Sequence, residues 1–161
     1  MSSIRQQIIA ALMVRAKLIL TMNGYQTDAG LTVHHGYRRP AKGDTYPRIG
    51  METGPLPDPE SQDDTIVRRG WPVTFLGQAL VSPDDADSLD AAEDLIADLK
   101  KALFDESDRR LGTVLLPNKN VGNVEYGGEG TVDREDGGHV VECWVTCSVT
   151  FTETYGDPES T

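Results

Sequence analysis

The chain has 161 residues, 38% of them hydrophobic and 25% charged, with a formal net charge of −11. Length and composition describe one globular domain, 1–161, able to bury roughly 70% of the surface its unfolded chain exposes. The acidic balance argues against a nucleic-acid-binding surface, which clustered Lys and Arg would mark, though not against a surface that nucleic acid slides past.

The N-terminal stretch Ile4–Thr21 has helical spacing: Ile4, Ile8, Ala11, Leu12, Arg15, Ala16 and Ile19 share a face, and Ile9, Met13 and Leu20 widen it. Ser2 or Ser3 can cap its start, and Asn23-Gly24 is a stop signal. So wide an apolar face is expected to lie on a sheet; a membrane-surface helix is the alternative, with only Arg5, Gln6, Gln7, Arg15 and Lys17 for a polar side. The run Ile8–Leu20 is interrupted by Arg15 and Lys17, too short and too charged to span a bilayer. It does not read as a signal peptide either, so a cytoplasmic origin is the default expectation.

Leu31–Tyr37 is a short strand candidate, Arg38–Asp44 a basic loop, and Thr45–Thr53 a second extended piece in which Pro47 favours an edge or an irregular start. Gly54–Asp64 (GPLPDPESQDD) holds three prolines and four acids with no aromatic or β-branched residue. It is expected to be a solvated, mobile loop able to order against a partner. Thr65–Leu76 returns to strand, with Val67, Trp71, Val73 and Phe75 on one face and Gly70 and Pro72 hinting at a bulge or bend.

Ser82-Pro83-Asp84-Asp85 then supplies an N-cap, a proline at the first helical position and first-turn acids. A helix from about Asp84 to Phe104 follows, roughly 30 Å long. Leu89, Ala92, Leu95, Ile96, Leu99 and Leu103 form its apolar stripe, and Asp87, Asp90, Asp94 and Asp98 its outer side. Asp105–Asn120 is a polar connection.

The last third alternates with period two. In His139–Tyr155, Val141, Cys143, Val145, Cys147, Val149 and Phe151 share one parity, and Glu142, Trp144, Thr146, Ser148, Thr150 and Thr152 the other. Val121–Arg134 precedes it, joined through Glu135-Asp136-Gly137-Gly138, so the two runs predict one long hairpin. Gly156–Thr161 is a loose polar tail. The fold class expected is α+β: a mostly antiparallel sheet with a long C-terminal β-hairpin and two main helices packed on one face.

The sequence offers no catalytic constellation. Cys143 and Cys147, four strand residues apart, are about 13 Å apart along the chain, too far to bridge within one subunit. They are expected to be buried small hydrophobes. His34 and His35 point to opposite faces of a strand, and His139 lies at the hairpin turn. The helix acids lack the glycine and alternating positions of a calcium loop, and Gly122, Gly127, Gly128 and Gly130 do not open a helix as a phosphate cradle does. No enzyme activity, cofactor or metal is expected.

Four stretches, in order, carry a family resemblance: IRQQIIAALMVRAKLIL running into NGY, TYPRIGMETG, RRGWPVTFLGQAL feeding AAEDLIADLKKALF, and the final pair VGNVEYGGEGTVDREDGGHVVECWVTCSVTFTETY. Over roughly residues 4–155 the chain resembles the tail terminator, or tail completion, proteins of long-tailed bacteriophages and their minor-tail relatives. That resemblance implies a virion protein of the tail, assembled in the host cytoplasm. It would form a homohexameric ring that caps the tail tube, ends its polymerisation and joins it to the head connector or neck protein. The partners implied are other copies of itself, the tube protein and the connector, with DNA passing through the ring, no sequence-specific nucleic-acid binding and no membrane. Six copies would carry a formal charge of about −66, which repels passing DNA rather than holding it. A head-closure or neck adaptor and another minor or tube-like tail protein are the nearest alternatives; a small cytoplasmic binding module, or an enzyme with unusual site residues, is the alternative from another class. Candidate interface residues are Trp144 and Glu142 on the wetter hairpin parity, Pro55, Pro57, Asp58 and Pro59 in the proline-rich loop, Arg38 and Arg39 in the basic loop, and Tyr126.

Overall fold

Ser3 starts the first helix of this chain in a reciprocal cap: its Oγ accepts from the Gln6 amide at 3.3 Å, and the Gln6 side-chain oxygen accepts from the Ser3 amide at 3.0 Å. The computed structural model describes residues 3–37, 39, 43–55, 61–62, 66–104, 121–135 and 138–154. Helix α1 is Ile4–Lys17, shorter than expected, because Leu18 ends it and Thr21–Asn23 forms a separate 3₁₀ turn closed by Gly24 at φ +85°. A second 3₁₀ turn, Ala29–Leu31, precedes strand β1, Val33–His35, so only the middle of Leu31–Tyr37 is strand. Gly30 makes that turn possible: a Cβ there would lie 2.6 Å from the Lys17 carbonyl oxygen.

Strands β2 (Arg48–Thr53), β3 (Ser61–Gln62) and β4 (Ile66–Leu80), helix α2 (Asp90–Phe104), and strands β5 (Val121–Val132) and β6 (Val140–Thr154) complete the order. The sheet runs β1-β2-β4-β6-β5, with β3 pairing β4 beyond the end of β2. Every pairing is antiparallel except β1 with β2. The expected α+β class is what the structure shows, and the C-terminal hairpin is β5–β6.

At the centre, β4 and β6 pair without a register break from Ile66↔Thr154 to Leu80↔Val140. The expected bulge at Gly70 and Pro72 is therefore absent. Pro72 is tolerated because its carbonyl faces the β2 side, where it accepts from Gly54 N at 3.0 Å, so its missing N–H faces that side too, just past the last β2 pair at Val73. Register shifts occur instead in β5, between Val121 and Val124 and between Tyr126 and Gly128. The proline-rich loop also holds some strand, since Ser61 and Gln62 pair with Arg68 and Val67. The hairpin connection is longer than Glu135–Gly138: β5 stops at Val132, β6 resumes at Val140, and Gly138 N donates to Glu135 O at 2.7 Å.

One sheet face meets the helices. Val141, Cys143, Val145, Cys147, Val149 and Phe151 of β6, Trp71, Val73 and Phe75 of β4, and Ile49 and Met51 of β2 are buried with α1 and α2 in one core. Gly77 sets the depth of α2: a Cβ there would meet Cys143 Sγ at 2.6 Å and Leu95 Cδ1 at 3.1 Å. The apolar stripe of α2 is as expected from Ala92 to Leu103, but the helix begins at Asp90 rather than Asp84, leaving Leu89 just before it and a length of about 22 Å. The expected first turns cannot continue as helix because Arg134 Nη2 takes the carbonyls of Pro83 and Asp85 at 2.9 Å each, and Ser88 Oγ bonds Asp133 at 3.0 Å. Asp98 corrects the outer-side assignment. It is 2% exposed, and its carboxylate accepts from Gln26 N, Thr27 N and Thr27 Oγ1 at 2.8–2.9 Å.

Candidate functional site

The face of the sheet turned away from the helices is built in rows, because alternate residues of a strand point the same way. Arg48, Gln78, Glu142 and Val132 are cross-strand neighbours in one row. Gly50, Leu76, Trp144 and Gly130 form the next, and Glu52, Thr74, Thr146 and Gly128 the third. Beyond them β6 presents Ser148, Thr150 and Thr152, all partly exposed. Thr74 and Thr146 hydroxyls bond across the strands at 3.0 Å. The opposite parity of β6 is buried from Val141 to Phe151, so the expected division into an apolar and a wetter face holds.

Trp144 sits on this outer face, but half-buried rather than as a free aromatic. Its indole lies across β5: a Cβ on Gly130 would come within 2.7 Å of Nε1, and one on Gly128 (φ +134°) within 3.5 Å of the ring. Glycines in β5 thus let the ring lie flat on the strand. Glu142 stands in the neighbouring row. It accepts a long hydrogen bond, 3.4 Å, from Tyr37 Oη. Burial and then the Glu142 charge push the Tyr37 phenol above its ordinary pKa.

Arg48 explains why this row stays ordered. Its guanidinium is buried, bonded to Gln78, paired with Asp44 at 2.8 Å and with the Arg39 carbonyl at 3.2 Å, and lies 5.0 Å from the Tyr46 ring centre. A buried cation needs such saturation. These contacts tie Arg39, Asp44 and Tyr46 to the sheet, on the side where Tyr37 meets Glu142. Leu80, Val132 and Tyr37, exposed by 62%, 54% and 43%, surround Glu142. Sequence alone does not single out Leu76, Leu80, Val132, Arg48 or Tyr37: the first four join Glu142 and Trp144 on one surface through the register of the sheet, and Tyr37 joins them through its hydrogen bond to Glu142.

The structure distributes the candidate interface residues. Glu142 and Trp144 fall on the outer face. Arg39 is exposed beside it, and its carbonyl accepts from Arg48. Pro55 is exposed just beyond the end of β2. Tyr126 belongs to the helix side: its ring packs edge-on to Phe104, with centroids 5.7 Å apart, and its hydroxyl bonds Glu129 at 2.7 Å. Glu129 also pairs with Lys100 of α2 at 2.8 Å, and the hydrogen bonds from Lys100 and Tyr126 hold its carboxyl below the usual range. Arg38, Pro57, Asp58 and Pro59 lie outside the described residues.

The two cysteines are free and buried on the core face, where desolvation pushes each thiol up to about 12. Among the described residues no three His, Cys, Asp or Glu side chains are grouped to hold a metal ion, and no helix is long and apolar enough to cross a membrane. Comparison with protein-family models and with curated proteins finds no match for this chain.

Proposed function

We propose that this chain is a structural virion protein that caps a phage tail tube as a ring, most simply a homohexamer, ending tube growth and joining the tail to the head connector. The observation that carries this reading is the open sheet face. It presents Leu80, Val132 and Tyr37 around Glu142, with Trp144 alongside, on two central strands paired along their whole length. A stiff, two-sided plate with apolar side chains left in water suits permanent association rather than turnover of a small substrate. The strands β4 and β6 also run past β5 and β2: β5 begins opposite Phe151 and β2 ends opposite Val73, leaving a narrow finger formed with β3. Such an extension reaches a neighbour in an assembly.

The test is addition of the purified chain to polymerising tail tube protein. A terminator shortens the length distribution and leaves a ring at one end in negative-stain images. Unchanged lengths and bare ends refute the terminator reading. Binding to the head-side connector without any effect on tube length identifies a neck adaptor instead.

A further inference from the structure

A cleft of about 260 Å³ opens between the first half of α2, the C-terminal end of β4 and the residues that lead into β2. Its walls are mostly apolar: Ala91 and Leu95 of α2, Ala79 and Leu80 of β4, and Pro47. Leu80 and Asp94 are exposed and mark its mouth. A dry cavity of about 150 Å³ holds one benzene molecule, so this space has room for an aliphatic chain of about five carbons.

Three polar side chains line the same space, and one of them is fully engaged. Thr27 Oγ1 donates to Asp98 Oδ2 at 2.8 Å and accepts from the Ala29 amide at 3.4 Å. The other two are not. Tyr46 Oη is buried without a hydrogen-bond partner, and the Asp94 carboxylate makes no hydrogen bond or ion pair with any described residue. A buried hydroxyl left unpaired is unfavourable, and an occupant that pairs with it removes the penalty.

The charge around the cleft selects the occupant. Asp94 is the one charged side chain among the described residues that line it, and Asp90, one turn earlier on α2, is also exposed. Asp98, one turn later, is buried and already accepts three hydrogen bonds. Cations of the surrounding elements are engaged elsewhere. Arg48 lies on the Tyr46 ring but is paired with Asp44 and bonded to the Arg39 carbonyl; Lys101 bonds the Gly24 carbonyl, and Lys100 pairs with Glu129. An anion is therefore repelled at the mouth, and a neutral chain leaves Asp94 and Tyr46 unmet.

We infer that the cleft is a binding site for a small aliphatic primary amine, with its ammonium on Asp94 and Tyr46 and its alkyl chain along Ala79, Ala91 and Leu95. An ammonium carries three donors and no acceptor, which matches an acceptor-only carboxylate and a phenol oxygen. The methylenes are removed from water against the apolar walls. Tyr46 Oη is closed off from water in the wall, so a small turn of its ring toward the cleft completes the contact. The amine is bound unchanged, and the site does not depend on the ring proposed above.

The experiment titrates the full, isotope-labelled chain with n-pentylamine at constant pH and ionic strength, read by amide chemical shifts. Saturable shifts are expected at residues 27, 46, 79, 80 and 91–95. Affinity should fall about fourfold for each methylene removed, down to propylamine. Pentanol and pentanoate, matched in length, should bind at least about tenfold more weakly. Asp94→Asn should weaken pentylamine binding by about tenfold or more, and Tyr46→Phe by about threefold. Tyr46→Phe should leave Tm unchanged or raised, because the unmet hydroxyl is gone. Ala91→Leu fills the cleft without touching either polar group and should abolish the shifts. Shifts that never saturate, pentanol binding as tightly as pentylamine, or parent-like affinity in Asp94→Asn would each overturn the inference. A chain that caps tubes but binds no amine loses this site alone; one that binds the amine and leaves tubes unaffected loses the proposed function alone.

Discussion

Trp71→Ala tests the core on which the rest of the structure depends. The Trp71 side chain is fully buried, sits edge-on to Phe151 with centroids 6.2 Å apart, and lies 4.7 Å beneath the Arg5 guanidinium. Its Nε1–H donates to Gly54 O at 2.9 Å, tying the end of β2 to β4. Truncation of such a side chain typically costs about 3–5 kcal/mol, within which the aromatic pair accounts for about 0.5–1.5 kcal/mol. For a domain of this size that lowers Tm by about 6–20 °C. Differential scanning calorimetry and urea unfolding should agree on the loss, with the urea midpoint falling and the slope unchanged. Trp71→Phe should recover most of it, leaving about 1 kcal/mol for the lost indole hydrogen bond. A Tm for Trp71→Ala within about 2 °C of the parent would refute the assignment of this face to the core.

Gly130→Ala should destabilise by about 1–3 kcal/mol through overpacking against the Trp144 indole, and the cost should shrink in a Trp144→Ala background; an additive double-mutant cycle in urea would separate the two residues. Asp98→Asn replaces one carboxylate oxygen with a donor facing the Gln26 or Thr27 amide, so it should cost about 1–3 kcal/mol and speed hydrogen exchange at those two amides; parent-like exchange would show that the carboxylate does not hold that loop. Glu129 is depressed in the folded state, first by the Lys100 hydrogen bond and then by Tyr126. Its contribution is therefore present above the unfolded carboxyl pKa and lost as pH falls through the folded one. Glu129→Gln should flatten the fall in Tm on acidification below about pH 4.5, and an unaltered acid limb would contradict the pairing.

Periodicity made much of this fold legible in the chain. Val141 to Phe151 alternate so regularly that the buried face of β6 follows from sequence alone, and a one-residue slip would place all six in water. The stripe of α2 and the Ser3 cap were equally local signals. Where distant residues competed for the same groups, local rules failed: Arg134 captures the carbonyls that would have begun α2 six residues earlier, and Asp98 is drawn inward by amides of residues 26 and 27. Pro72, in the central strand β4, reads as a bulge or bend in the sequence because composition does not say which neighbour its missing N–H faces.

The candidate site divides in the same way. Trp144 and Glu142 were recognisable as the wetter parity of a strand, since alternation is a property of the backbone itself. Their company was not. Leu80, Val132 and Arg48 share the Glu142 surface only through the register of β2, β4, β6 and β5, Tyr37 reaches it by a side-chain hydrogen bond from beyond β1, and Tyr126 falls on the helix side because β5 shifts register between Tyr126 and Gly128. Sequence by itself determined which residues alternate and which faces are apolar, both consequences of the 3.6- and 2-residue periods. Tertiary structure alone decided which strands are neighbours, and so which exposed side chains share a surface, because cross-strand pairing is a long-range choice settled by packing the whole core.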